Sequence, residues 1–204
     1  KELTDKNRIR EIVPEAATQK VTAWDLGMSD STAIWVAEMI SGEVRVMDFY
    51  EASGESLDHY IKWLDEKGYR DYTHIMPHDV NVRELQTGKS RYQFLTEAGL
   101  DIEVAPKSSV EDGIQAVRRI LPNCWFNKDK TRAGVECLQN YRRVFNEKTS
   151  SFQNRPLHDW SSHAADAFRY LALGMDSTGN GQRTDWSKPF ETTLDGDSYK
   201  DYYV

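Results

Sequence analysis

Cysteine is scarce in this 204-residue chain: there are two, Cys124 and Cys137. They form no Cys-x-x-Cys pair, so spacing supports neither a zinc site nor a disulfide framework. Both read as buried thiols of a reducing compartment. Long apolar runs are also missing. No stretch reaches about 18 consecutive apolar residues, the length a membrane-spanning helix needs. The opening Lys1-Glu2-Leu3-Thr4 has no apolar segment of a signal peptide and no initiator Met, which reads as an excised domain or processed fragment. There is no Gly-x-x-x-x-Gly-Lys-Ser/Thr loop to cradle a nucleotide's phosphates, and no internal repeat. Positive charge is in deficit. A net charge of -7 argues against a large, uniformly basic nucleic-acid surface.

What remains is the composition of a globular domain with polar ends, 39% hydrophobic and 29% charged, with a mean hydropathy of -0.71. Its length suits one domain with a real core. Residues 1–19 carry little apolar periodicity and read as a linker. Residues 20–175 hold the periodic segments. Residues 176–204 are rich in Gly, Ser, Thr and Asp and read as a flexible tail.

Within the middle segment, Val21 to Leu26 alternates, with Val21, Ala23 and Asp25 on one face and Thr22, Trp24 and Leu26 on the other. A second strand, Ser31 to Met39, ends at the hairpin signal Ser41-Gly42, and Glu43 to Tyr50 forms a third. The period then changes. Leu57, Tyr60, Ile61 and Leu64 mark an amphipathic helix stopped by Gly68. Thr73 to His78 is a strand, Arg91 to Ala98 a helix, and Asp101 to Ala105 a strand. Ser108 with Glu111 makes a capping box for a helix that buries Val110, Ile114, Val117 and Leu121. Cys124 to Phe126 is a short strand, and Lys130 to Asn146 a helix with Leu138, Tyr141 and Phe145 inward. Ser161-Ser162 cap a last helix that reaches Leu173.

Hairpins followed by strand–helix alternation predict an α/β fold, with a mixed sheet of five or slightly more strands and helices on both faces. If the first strand is central and the Thr73 strand lies parallel beside it, Asp25 and Asp79 come together at the edge where ligands gather in open α/β sheets. Asp25 before a glycine turn is also ordinary turn chemistry. On the last helix, His163 and Asp166 share a face among Ala164, Ala165 and Ala167, which allow close packing. A carboxylate there needs a partner, either a cation or an arginine such as Arg169. Charge is uneven as well. Lys107 to Arg155 holds ten Lys/Arg against five Asp/Glu, a local +5. That suits phosphate contacts, and equally a solvated helix face.

Together, Asp25-Leu26-Gly27, Pro77-His78-Asp79 and His163-Ala164-Ala165-Asp166-Ala167-Phe168-Arg169-Tyr170, with His158 upstream, resemble the C-terminal nuclease domain of the large terminase subunit of tailed bacteriophages. The resemblance spans roughly Val21 to Leu173, and the last motif is the most specific. It implies an RNase H-like fold and a metal-dependent endonuclease that cuts concatemeric double-stranded viral DNA during packaging. The family's three acidic ligands map onto Asp25, Asp79 and Asp166, which would be both catalytic and metal-binding, with Asp25 bridging two Mg²⁺ or Mn²⁺ ions. His163, His78, Asp30 and Asp159 are supporting or additional ligand candidates. Lys128, Lys130, Arg132, Arg142 and Arg143 are the candidate DNA contacts. The implied partners are DNA, the portal protein, the terminase small subunit and the amino-terminal ATPase domain, in the host cell cytoplasm. The same first strand also looks like the phosphate loop of actin-like ATPases and sugar kinases. Holliday-junction resolvases use similar acidic triads, and a non-catalytic portal-docking module is the remaining alternative.

Overall fold

The computed structural model describes residues 3, 6–13, 19–27, 31–40, 42–83 and 88–176. Asp30, Ser41 and the tail assigned to 176–204, apart from Asp176, lie outside them. Nine strands are present among the described residues: β1 Ile9–Arg10, β2 Gln19–Asp25, β3 Ser31–Ile40, β4 Glu43–Ser53, β5 Thr73–Met76, β6 Asp101–Val104, β7 Cys124–Asn127, β8 Arg143–Asn146 and β9 Ser151–Pro156. The helices are α1 Leu57–Lys67, α2 Arg91–Glu97, α3 Val110–Ile120, α4 Arg132–Asn140 and α5 Ser162–Asp176.

Seven strands form one mixed sheet in the order β1-β7-β4-β3-β2-β5-β6. It is two strands wider than the five expected, because β1 and β7 extend it beyond β4. β3 is antiparallel to both β2 and β4, whereas β2–β5, β5–β6, β4–β7 and β1–β7 are parallel. All strands but β3 therefore point the same way. The C-terminal ends of β2, β4, β5 and β7 share one edge, with β2 in the interior and β5 parallel beside it.

Both faces are covered, as the alternation in β2 requires. Val21 and Ala23 join Trp35, Phe126 and Phe168 in a core under α3, α4 and α5. Trp24 and Leu26 join Ile34, Tyr60, Leu64 and Leu95 in a second core under α1 and α2. A strand buried on both faces gives near-continuous apolar sequence, which explains the run from Ala33 to Ala37.

Several elements differ from expectation. The helix expected over Lys130–Asn146 ends at Asn140, and the chain then forms the β8–β9 hairpin, a separate two-stranded sheet. Phe145 is consequently half exposed and packs edge-on against Phe152. The α3 capping box is built by Ser109 and Asp112, one residue later than expected. α3 is rotated accordingly. Gly113, Ala116, Val117 and Ile120 face inward, and Val110 is exposed. Part of the presumed linker is structural, since β1 pairs with β7.

Candidate metal centre

Asp25 is the last residue of β2, and Gly27 follows it, its N–H bonded to the Thr32 hydroxyl at 3.2 Å. That bond helps to turn the chain back toward β3 and leaves the Asp25 carboxylate at the sheet's C-terminal edge. One strand over, Pro77 ends β5 because it has no N–H to give the ladder. A 3₁₀ turn, His78–Asn81, then presents Asp79 at the same edge, with His78 and Asp79 both exposed.

The third acid arrives on α5. Ala164 and Ala167 are fully buried, and the Trp35 indole N–H donates to the Ala164 carbonyl at 2.8 Å. Small side chains and this anchor seat the first turns of α5 closely on the sheet. His163 is thereby placed with Nδ1 3.1 Å from Asp25 Oδ2, close enough for the ring N–H to donate to the carboxylate. Burial pushes the Asp25 carboxyl up from its ordinary value and the Asp166 charge pushes it further, while His163 and Arg169 pull it down. Tyr170 reports on all three acids. Burial pushes its phenol up to about 12, Arg169 opposes this, and Asp25, Asp166 and Asp79 each add to it.

Asp166 has a partner of its own. Arg169 Nη2 and Nε lie 2.8 and 3.1 Å from Asp166 Oδ1, and the Tyr141 hydroxyl is 3.5 Å from the same oxygen. The sequence left cation and arginine as alternatives for this carboxylate, and here the arginine is bonded. The pair is not sealed off, because both side chains line an open cleft of about 150 Å³ with Tyr141, His158 and Ser162. Among the described residues, no three His, Cys, Asp or Glu side chains are gathered closely enough to cage an ion. The donor set is hard oxygen nevertheless. Ions of the Mg²⁺ type need only one or two carboxylates when water and a substrate phosphate complete the shell. Asp25 at the end of β2 and Asp166 on α5 are carboxylates of that kind, with Asp79 on the turn after β5.

The other candidates fall into distinct places. Asp159 accepts from the Ser161 N–H and hydroxyl at 3.0 and 2.6 Å and pairs with Arg142 at 3.3 Å. The Ser161 bonds hold its carboxyl below the usual range, and the residue shapes the start of α5. His158 stacks edge-on with His163 at 5.5 Å and bonds the Ser162 hydroxyl. A cleft of about 350 Å³ opens beside His163, lined also by Ser31, Glu51, Ser53, Asp159 and Trp160. Lys128, Lys130 and Arg132 are exposed just beyond β7, and Arg143 pairs with Glu111 at 3.7 Å. Sequence reasoning missed Tyr141, Gly113 and Glu51. Their proximity to the site is set by the hairpin, by α3 and by β4, and no local motif signals it.

The architecture places the chain in the class of mixed α/β domains, with Asp25 ending one strand and Asp79 following its parallel neighbour at one edge of the sheet. More particularly, the fold is that of large terminase nuclease domains. The P22 large terminase nuclease domain superposes with a TM-score of 0.63 at 16% identity, over 83% of this chain and 89% of that one. The nuclease domain of the bacteriophage SPP1 large terminase, solved with bound Mn, gives 0.56 at 16%, over 82% and 96%. The large terminase of a thermophilic bacteriophage, in complex with ATP-gamma-S, gives 0.66 at 17%, over 84% and 44%. The chain thus spans less than half the length of that thermophilic phage protein. No family model and no curated protein sequence matches it.

Proposed function

We propose that this domain is a metal-dependent DNA endonuclease that cuts concatemeric double-stranded viral DNA during genome packaging. The observation that carries the reading is that Asp25 ends β2 and Asp79 follows β5, its parallel neighbour, while α5, which carries Asp166, is tied to Asp25 through His163 at 3.1 Å. The matching fold of a terminase nuclease domain solved with bound Mn supports it.

Asp25 would hold divalent ions of the Mg²⁺ or Mn²⁺ kind, with Asp79 and Asp166 completing their shells. Bound there, such ions activate a water and stabilise the leaving oxygen in phosphodiester hydrolysis. His163, with Nδ1 3.1 Å from Asp25 Oδ2, orients the carboxylate and opposes the burial that pushes its pKa up. The alanine face of α5 excludes water behind the carboxylates. The DNA would run along the C-terminal edge. β7 ends toward that side, and β3 and β4 separate it from β2, so the β7 and β2 axes lie three strand spacings, about 14 Å, apart across the sheet. This is a suitable reach for neighbouring phosphates on the same duplex. In the packaging motor, the ATPase domain, the portal protein and the small subunit would supply most of the grip on DNA, in the host cytoplasm.

The test is cleavage of supercoiled plasmid. The reading expects nicked and linear products with Mn²⁺ or Mg²⁺, none with EDTA, and little sequence preference. Cleavage undiminished in Asp25→Asn, Asp79→Asn and Asp166→Asn would refute it.

A further inference from the structure

Resting on that reading, we propose that Arg169 is the positioning residue of Asp166: it grips one carboxylate oxygen and presents the other to the metal. Arg169 is nearly buried, 7% exposed, against Gly113 of α3. Its Nε and Nη2 both approach Oδ1 of Asp166, at 3.1 and 2.8 Å. A guanidinium recruited only for an ion pair tends to meet a carboxylate fork to fork, one nitrogen on each oxygen. Here both nitrogens converge on one oxygen, and the Tyr141 hydroxyl lies 3.5 Å from that same oxygen. Oδ2 stands outside these bonds. A carboxylate held by one oxygen in this way is fixed in rotation and keeps its second oxygen for another ligand, as the outer partners of metal ligands commonly arrange.

The backbone of α3 is shaped around this grip. At Gly113 an added Cβ would lie 3.1 Å from Arg169 Cδ, 3.2 Å from Nη1 and 3.3 Å from Cβ. The arginine thus runs directly over a residue with no side chain. This explains why α3 is rotated so that Gly113, not Val110, faces inward. Three separate elements cooperate: α5 supplies the acid and the arginine, α3 supplies the gap, and the segment after α4 supplies Tyr141.

Burial opposes the Arg169 charge, and the Asp166 carboxylate and its hydrogen bond more than offset it. The guanidinium is therefore a permanent cation beside the centre.

The experiment is Mn²⁺ titration by calorimetry on this 204-residue chain, paired with the Mn²⁺ concentration that gives half-maximal plasmid cleavage. Arg169→Gln is expected to weaken Mn²⁺ binding roughly 10- to 100-fold. Excess Mn²⁺ should restore much of the rate, a split that loss of folded protein would not produce. Arg169→Lys should fall between, since it keeps the charge and loses the fork. In an Asp166→Asn background, Arg169→Gln should add no further loss. If Arg169→Gln does not fold, Gly113→Ala decides the matter: it should weaken Mn²⁺ binding in the same direction with an unchanged circular dichroism spectrum. Variants that bind Mn²⁺ as tightly as the wild type, or more tightly, overturn the positioning role alone. Equal losses with and without Asp166 overturn it too. A wild-type chain that binds no Mn²⁺ overturns the nuclease reading and this inference together.

Discussion

Acid should loosen the strand pair that carries Asp25 and Asp79, through a histidine outside the site. His74 lies in β5 and is fully buried. Its Nε2–H donates to the Arg70 carbonyl at 3.1 Å, so Nδ1 is the acceptor and takes the Thr22 hydroxyl proton at 2.7 Å. Thr22 in turn accepts the Trp24 indole N–H at 2.7 Å. This chain of bonds ties β5 to β2 and works only with a neutral ring, because a second ring proton would face the Thr22 oxygen's own hydrogen. Burial accordingly pushes the imidazole down to about 4 from its ordinary 6.5. The unfolded chain takes up the proton near 6.5 and the folded chain resists until about 4. The stabilisation is therefore complete above about pH 6.5 and lost as pH falls toward about 4. A gap of about 2.5 pH units corresponds to about 3 kcal/mol in all, of which about 2 kcal/mol is gone by about pH 5. Urea unfolding followed by tryptophan fluorescence between about pH 4.5 and pH 8 measures it. The difference between wild type and His74→Gln cancels the other titrating groups. That difference should shrink by about 2 kcal/mol from pH 7 to pH 5. A difference independent of pH, or one that grows in acid, would refute the reasoning.

Gly134→Ala should destabilise by about 1–3 kcal/mol in thermal unfolding, because its Cβ would enter the Trp35 ring and lie 2.7 Å from Phe49 Cγ. Gly174→Ala should cost less, since the group it meets is the rotatable end of Ile75. His163→Ala removes the 3.1 Å partner of Asp25 and should lower metal-dependent cleavage roughly 10- to 100-fold while the fold persists. Lys128→Glu with Arg132→Glu should weaken DNA binding and flatten its salt dependence. An unchanged salt slope would place the DNA elsewhere.

Elements buried on both faces, or on one clean stripe, are legible in the sequence. β2 alternates because each face meets a separate core, and α1 repeats Leu57, Tyr60 and Leu64 because only one side is covered. The β8 strand of the hairpin reads as helix for a definite reason. Leu138, Tyr141 and Phe145 fall at helical spacing, and the turn between the strands contains no glycine. Ser150 supplies the left-handed conformation there, at a φ of 49°, so the usual turn signal is absent. The α3 register slips by one because Ser108 and Ser109 each have an acid three residues on, and only Gly113 against Arg169 decides between them. The three acids are proposed from the motifs and their order along the chain. That Asp166 is held by Arg169 and approached by Tyr141 cannot be read there, because α3, the hairpin and α5 meet only in the folded molecule.

The central claim is that Asp25, Asp79 and Asp166 bind divalent ions where DNA is cut. The most direct measurement is the anomalous scattering of crystals soaked in Mn²⁺ at concentrations that support cleavage. The account predicts a peak against the Asp25 carboxylate and shared with Asp166, with any second ion between Asp25 and Asp79. Clean density at Asp25, with Mn²⁺ bound elsewhere or not at all, would contradict it.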